Sequence, residues 1–152
     1  MMTILIASDH GGFVLKEKLK LYLEKKGFGI KDLGTYSEES CDYPVFAAKL
    51  AGYISRKKYR RGILICKTGI GNSIVANRFP GVRAALCYNI EAARLTREHN
   101  DSNVLVLGAC FVTKKQAEEI TEIWLNTKFA GGRHRRRLKQ IKEIENGIFK
   151  TG

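Results

Sequence analysis

Residues 62–73 are Gly62-Ile63-Leu64-Ile65-Cys66-Lys67-Thr68-Gly69-Ile70-Gly71-Asn72-Ser73, an apolar run that ends in a cysteine and continues into a glycine-rich loop. The run from Ile63 to Ile65 predicts a buried strand, and the segment from Ser73 to Asn77 predicts the start of a helix. Glycines between a strand and a helix allow successive backbone N–H groups to converge on one point, which is typical of an anion-binding loop. The positive end of the helix dipole would favour the thiolate form of Cys66. The alternative is a packing cysteine followed by a turn, because free cysteine is among the most often buried residue types.

Further short apolar runs alternate with amphipathic stretches over the rest of the chain. This alternation predicts repeated strand and helix units around a parallel sheet, and therefore an α/β fold. We expect strands at Ile4 to Ala7, Gly29 to Leu33, Ile63 to Ile65, Val82 to Cys87 and Val104 to Leu107, of which the second has the weakest pattern. No linker, repeat or low-complexity segment interrupts the pattern, so residues 1–152 are expected to form a single domain.

Local signals predict helices between these strands. Apolar residues recur at helical spacing from Leu15 to Leu23, and Gly27 is a typical helix stop. Pro44 suits the first turn of a second helix, and Thr113 with Gln116 forms a capping-box pattern at the start of a third. The tail carries one apolar stripe, which predicts a final helix that docks on another surface: Leu138, Ile141, Ile144 and Ile148.

Composition limits the classes of protein to be considered. A chain of 152 residues with 44% hydrophobic and 28% charged residues suits a globular domain with a real core. No stretch approaches the ~20 apolar residues that span a bilayer, and the start lacks a basic leader, so we expect a cytoplasmic protein. The four cysteines have no metal-binding spacing, which predicts free thiols in a reducing compartment and no zinc site.

The formal net charge of +12 raises the question of a nucleic-acid partner. The strongest basic patch is Arg133-His134-Arg135-Arg136-Arg137, with Lys139 and Lys142 beyond it. A phosphorylated small molecule would use the same residues. The sequence contains no helix-turn-helix, RNP aromatic signature or zinc finger, so a nucleic-acid partner is disfavoured.

Chemically useful side chains accompany several of the predicted strands. In parallel sheets, ligands bind at the carboxyl ends of the strands, which here precede Asp9, His10 and the loop after Cys66. Residues 98–101, which include His99 and Asn100, come before the last strand. Taken singly, Asp9 has an alternative role as a helix cap, His10 as a loop residue, and residues 99 and 100 as a turn. Together they predict a site that combines an acid, a base, a thiol and an anion-binding loop.

Six motifs in the chain carry a specific resemblance. They are Asp9-His10-Gly11-Gly12, Asp42-Tyr43-Pro44, Cys66 to Gly71 running into Ile74-Val75-Ala76-Asn77-Arg78, Gly81-Val82-Arg83-Ala84, His99-Asn100-Asp101, and Gly131-Gly132-Arg133-His134 with Arg137. In this order they resemble the type B ribose-5-phosphate isomerase family, which includes galactose-6-phosphate and allose-6-phosphate isomerases. The resemblance implies a three-layer α/β/α sandwich with a five-stranded, parallel, Rossmann-like sheet. It also implies no cofactor, a sugar phosphate as substrate, and a homodimer, or a tetramer, with active sites at the subunit interface.

The resemblance also assigns catalytic roles. Cys66 corresponds to the base that removes a proton next to the carbonyl, and the backbone N–H groups of the loop, which includes Gly69, Ile70 and Gly71, correspond to the oxyanion donors. One branch of the family places a glutamate base at the position of Asn72. An amide cannot accept that proton, so the chain resembles the cysteine branch. Thr68 is suited to hydrogen-bond a substrate oxygen while protons move between O1 and O2.

The remaining assignments concern ring opening and phosphate binding. Asp9 and His99 resemble the residues that open the furanose ring, with His99 and Asn100 reaching in from the partner subunit. Tyr43 resembles a residue that contacts the substrate. The phosphate ligands implied by the resemblance are His10, Arg133 and Arg137, with His134 as a weaker candidate.

Two positions depart from the family pattern. Lys67 stands where most members have glycine, and Cys110 stands where many have an arginine that binds phosphate. Our hypothesis is that Lys67 compensates for the missing arginine and also favours the Cys66 thiolate. In the alternative, Lys67 points to solvent and phosphate binding is weaker. The substrate also stays open between ribose 5-phosphate and a hexose 6-phosphate, and a noncatalytic phosphosugar or nucleic-acid binder is the rival function.

Overall fold

The computed structural model describes residues 1–148, in which five strands and six α-helices alternate. The strands are β1 (Thr3–Ser8), β2 (Gly29–Asp32), β3 (Gly62–Cys66), β4 (Ala84–Leu86) and β5 (Val104–Gly108). The helices are α1 (Phe13–Lys25), α2 (Tyr43–Ser55), α3 (Ile70–Ala76), α4 (Ile90–Asn100), α5 (Lys114–Asn126) and α6 (Arg133–Glu145), and a 3-10 turn covers His10–Gly12.

The strands form one parallel sheet in the order β2-β1-β3-β5-β4. All five predicted strands are therefore confirmed, but β4 is shorter than the segment from Val82 to Cys87. The Val82 amide bonds to the Phe79 carbonyl in the preceding turn, so only the next residues are free to extend along β5. The strand order places β3 in the centre of the sheet, and its carboxyl end therefore opens onto the middle of one sheet edge.

Helices cover both faces of the sheet, which confirms the predicted three-layer sandwich. Apolar side chains of α1, α4 and α5 pack on one face with Ile63 and Ile65 of β3. Those of α2 and α3 pack on the other face with Leu64. Because side chains alternate along a strand, Cys66 lies on the same face as Leu64, towards α3.

The helix ends follow the predicted signals. α1 ends just before Gly27, Pro44 lies in the first turn of α2, and both hydrogen bonds of the capping box between Thr113 and Gln116 are present. α3 starts at Ile70, earlier than the predicted start near Ser73. None of the helices within residues 1–148 combines the length and apolar character required to cross a bilayer.

The final helix α6 forms as predicted and lies at the amino edge of the sheet. Its Glu145 carboxylate accepts two hydrogen bonds from the Gly81 amide, which lies before β4. Leu138 is half-buried, whereas Ile141 and Ile144 are exposed. The same chain therefore supplies only part of the surface on which the apolar stripe was expected to dock.

Candidate active site

The end of β1 carries an acidic side chain at the carboxyl edge of the sheet. The Asp9 carboxylate accepts a hydrogen bond of 3.1 Å from the Gly12 amide and so caps the 3-10 turn. Asp9 therefore does act as a helix cap, as in the alternative role considered from the sequence. This hydrogen bond leaves the second carboxylate oxygen available, so a catalytic role is not excluded. The turn holds this oxygen in a fixed place beside the loop that follows β3.

The loop after β3 is organised around the Cys66 sulfur. Cys66 is 4% exposed, and its Sγ accepts a hydrogen bond of 3.1 Å from the Gly69 amide. Gly69 has a φ of +82°, a left-handed conformation that turns the chain directly into α3 and explains the early start of this helix. The Ile70 amide donates to Thr68 Oγ1 at 3.2 Å. Loop N–H groups thus hold the Cys66 sulfur and the threonine hydroxyl in place.

Tyr43 is brought to the same loop by the start of α2. A Cβ atom on Gly71 would overlap the ring and hydroxyl of Tyr43, so the absence of a side chain at position 71 is what allows this contact. Tyr43 is half exposed, with its ring over the loop. The phenol is therefore available to a molecule bound at the loop.

His10 lies next to the segment that leads into α2. The Cys41 amide donates to His10 Nδ1 at 3.1 Å. The Cys41 carbonyl oxygen lies 3.2 Å from the same nitrogen, so backbone groups of Cys41 occupy Nδ1 and leave Nε2 of this exposed ring for a ligand. His10 completes a set that we call the carboxyl-edge cluster: Asp9, His10, Tyr43 and residues 66–71.

The two residues that depart from the family pattern are spatial neighbours. The Cys110 amide donates to the Lys67 carbonyl at 2.9 Å, and both side chains are exposed. A Cβ on Gly11 would lie 3.3 Å from Lys67 Cβ, so the lysine stem starts between the 3-10 turn and the turn after β5. Both positions therefore lie beside the carboxyl-edge cluster.

The other predicted site residues lie at the opposite edge of the sheet. Residues 98–101 lie at the amino edge, because α4 returns to this edge before β5 begins. There the rings of His99 and His134 stack with centroids 4.3 Å apart. The pKa of His134 is lowered, first by burial and then by the positive charges around it. We call the set of His99, Asn100, Arg133, His134 and Arg137 the amino-edge cluster.

The arginines of the amino-edge cluster face outward. Arg133 and Arg137 are exposed and lie one turn apart on α6. Arg135 instead stacks over the Phe129 ring at 5.9 Å, as expected for a residue on another face of the helix. The two guanidinium groups are therefore accessible on one face of α6.

A family model described as Ribose/Galactose Isomerase matches residues 4–141. The chain belongs to this family. It is 41% identical over 145 residues to ribose-5-phosphate isomerase B of Escherichia coli, covering 95% of this chain and 97% of that one. Its structure is similar to Clostridium thermocellum ribose-5-phosphate isomerase B, with a TM-score of 0.94, 47% identity and coverage of 96% and 99% of the two chains. The Mycoplasma genitalium enzyme with bound ribulose-5-phosphate has a TM-score of 0.91, 40% identity and coverage of 95% and 97%.

Two further residues flank the loop: Tyr88, which no sequence pattern indicated, and Asn72, which stands at the glutamate position of the other branch of the family. Tyr88 donates from its hydroxyl to the Thr68 carbonyl at 3.0 Å and so fixes the loop backbone. Asn72 is 1% exposed, and its Oδ1 has no hydrogen-bond partner among the described residues. It lies one turn before Ala76 on the face of α3 that packs on the sheet, towards the end that carries Cys66.

No group of three His, Cys, Asp or Glu side chains within residues 1–148 is arranged to hold a metal ion. All four cysteine thiols are free. Among them, burial raises the pKa of Cys87 to about 12, which keeps this thiol protonated at neutral pH.

Proposed function

We propose that the protein interconverts ribose 5-phosphate and ribulose 5-phosphate, with Cys66 as the base. The observation that carries the proposal is the hydrogen bond from the Gly69 amide to the sulfur of a buried cysteine at the carboxyl end of the central strand. This bond fixes the position of the sulfur atom that accepts the proton in the proposed reaction. The relative with bound ribulose-5-phosphate supports the substrate class.

The proposed reaction proceeds through an enediolate. The Cys66 thiolate removes the proton from C2 of the open-chain aldose, and the electron pair moves towards the carbonyl oxygen O1. The Thr68 hydroxyl moves a proton from O2 to O1, and the Cys66 thiol returns its proton to C1 to give the ketose. The Gly69 and Ile70 N–H groups already bind Sγ and Thr68 Oγ1, so other loop amides, such as that of Gly71, would stabilise the enediolate oxygen.

The proposed site is shared between two chains. The two clusters lie at opposite edges of the sheet, so the amino-edge cluster of one protomer serves the carboxyl-edge cluster of its partner. A two-fold homodimer creates two such sites, and a tetramer would contain two such dimers. His99 then acts with Asp9 in ring opening, while Arg133 and Arg137 join His10 at the phosphate.

The sharing of the site predicts complementation between two inactive variants. Cys66→Ala and His99→Ala damage different clusters, so a hybrid dimer keeps one site with both residues intact. If equal amounts of the two variant chains associate at random, half of the dimers are hybrids, and each hybrid has one intact site out of two. The mixture should therefore recover about a quarter of wild-type turnover. Co-expression with two affinity tags and purification of the hybrid allows the turnover to be measured. A purified hybrid as inactive as its parents would contradict a shared site.

The preferred sugar is tested by comparing substrates. The family description includes galactose isomerases, so hexose 6-phosphates are the second candidate. We expect the metal-free protein to have a higher kcat/KM on ribose 5-phosphate than on allose 6-phosphate or galactose 6-phosphate. A higher value on a hexose phosphate would reassign the substrate, and no conversion of any of the three would favour a noncatalytic phosphosugar binder.

The exchanged residues Lys67 and Cys110 allow a prediction specific to this chain. If Lys67 replaces a phosphate-binding arginine, Lys67→Gly should weaken substrate binding about tenfold, because hydrogen bonds to charged groups contribute about 1.5–3 kcal/mol. Adding Cys110→Arg should then restore much of the affinity. The measurement is calorimetric titration of both single variants and the double variant with the sugar phosphate.

Whether Lys67 compensates for the missing arginine is decided by whether the effects of the substitutions at positions 67 and 110 are coupled. If the affinity of the double variant equals the product of the two single effects, the residues act independently and compensation is wrong. If Lys67→Gly leaves binding unchanged but moves the pH profile of turnover upward, the lysine assists Cys66 and not the phosphate.

A further inference from the structure

A basic groove of about 790 Å³ lies at the amino edge of the sheet, between α6 and the loops before β3 and β4. Leu138 and Ile141 of α6 supply apolar wall, and Tyr59 supplies an aromatic ring. The cationic residues that line the groove are Lys57, Arg60, Arg61, Arg83, Lys139 and Lys142. The groove does not include Cys66 or any other member of the carboxyl-edge cluster.

The acidic residues of the groove are already engaged. Asp101 pairs with Arg97 at 2.8 Å and with Arg83 at 3.5 Å. The Glu145 carboxylate accepts the two bonds from the Gly81 amide. The Arg97 side chain is only 4% exposed, so its positive charge is held inside the protein close to the groove wall. The groove therefore has an excess of positive charge.

Arg61 is a half-buried arginine of this group whose guanidinium has few partners within the protein. Its Nε atom is buried without a hydrogen-bond partner, and within residues 1–148 no carboxylate forms an ion pair with it. Its Nη1 donates only to the carbonyl of the adjacent Arg60 at 3.1 Å. Burial and the nearby charge of Arg97 lower the pKa of Arg61 to about 10. A half-buried cation with an unpaired N–H donor is costly unless an acceptor binds to it.

We propose that this groove binds a phosphorylated small molecule with more than one negative charge, and that Arg61 is its principal ligand. Phosphate oxygens match the planar donor fork of arginine, and the charge of the ligand offsets the mutual repulsion of the clustered guanidinium groups. The apolar wall contacts the organic part of the molecule. The site is distinct from the proposed isomerisation site, because no residue of the carboxyl-edge cluster or of the amino-edge cluster lines the groove.

Trp124 provides a local reporter for this site. It is the single tryptophan of the chain, and the Arg61 guanidinium lies over its ring at 5.7 Å. Its indole N–H donates to Ser102 Oγ at 2.8 Å, so the ring is held in place. We expect inorganic pyrophosphate, titrated into the full-length protein at constant ionic strength, to give a saturable change in tryptophan fluorescence and in the indole N–H resonance.

Two charge-matched variants test the assignment. Arg61→Gln should weaken pyrophosphate binding at least about tenfold, as expected for loss of a charged hydrogen-bonding partner. Arg136→Gln removes the same charge from an exposed position of α6 outside the groove and should leave the affinity unchanged. If Arg61→Gln does not fold, Arg61→Lys keeps the charge but removes the fork, and it should still weaken binding.

Four results would overturn the proposal. They are the absence of a saturable signal, equal weakening by Arg61→Gln and Arg136→Gln, unchanged affinity in Arg61→Lys, and loss of the signal in Arg137→Ala. Equal weakening, with a single-stranded oligonucleotide binding more tightly than pyrophosphate, would indicate a diffuse nucleic-acid surface. Loss of the signal in Arg137→Ala would place the anion in the isomerisation site.

Discussion

Cys66→Ala is expected to lower turnover by at least ~100-fold while phosphosugar binding stays nearly intact. The thiolate acts on the carbon, whereas the phosphate is held by other residues, and loss of a general base typically costs two to four orders of magnitude, about 10²–10⁴-fold. Steady-state kinetics and calorimetric titration with the sugar phosphate separate the two effects. Near-normal turnover in this variant would contradict the assignment of the base.

Cys87→Ala is the matched control for this experiment. Cys87 is buried like Cys66 and lies just after β4, but burial raises its pKa to about 12 and its thiol only donates weakly to the Ala85 carbonyl. We expect its replacement to lower thermal stability slightly and to leave kcat unchanged. A similar loss of turnover in both variants would indicate general damage to the fold and not removal of a base.

Arg137→Ala is expected to raise KM for the sugar phosphate about tenfold or more, since charge-assisted hydrogen bonds contribute about 1.5–3 kcal/mol. The effect on kcat should be smaller, because the phosphate is remote from the carbon that loses its proton. Initial rates over a range of substrate concentrations distinguish the two parameters.

Arg136→Ala is the comparison, because Arg136 is an equally exposed arginine on another face of α6. We expect this variant to bind the substrate like the wild type. Equal increases in KM would point to a diffuse polyanion-binding surface and would reopen the nucleic-acid alternative.

Several structural features of the chain follow from a few neighbouring residues. The strands at the centre of the sheet are uninterrupted apolar runs, so their burial follows from composition over a few residues. The capping box at Thr113 and Gln116 and the proline at position 44 act within a single helical turn, and each is found where the pattern predicts it. The predicted start of α3 was less accurate. It depends on the backbone conformation of Gly69, and a glycine can adopt the conformations of many turn types.

The residues of the candidate site also differ in how far the sequence alone identifies them. The sequence alone identifies Cys66 and its glycine loop, because a strand, a nucleophile and an anion-binding turn follow one another without a gap. The distance between this loop and His99 depends on the path of α4 across the sheet. No helix was predicted at this place, and only the packing of α4 on the sheet puts its last residues at the amino edge.

The sequence by itself thus determined the α/β sandwich, the thiol loop and the basic tail, since each rests on neighbouring residues. Only the tertiary structure decided that the tail arginines stand with His99 at the amino edge, that Asn72 is buried beside the loop, and that Arg61 lies over Trp124. These arrangements join residues far apart in the chain. They depend on the strand order and on the packing of the helices. Both are determined by the burial of the two apolar cores, one on each face of the sheet.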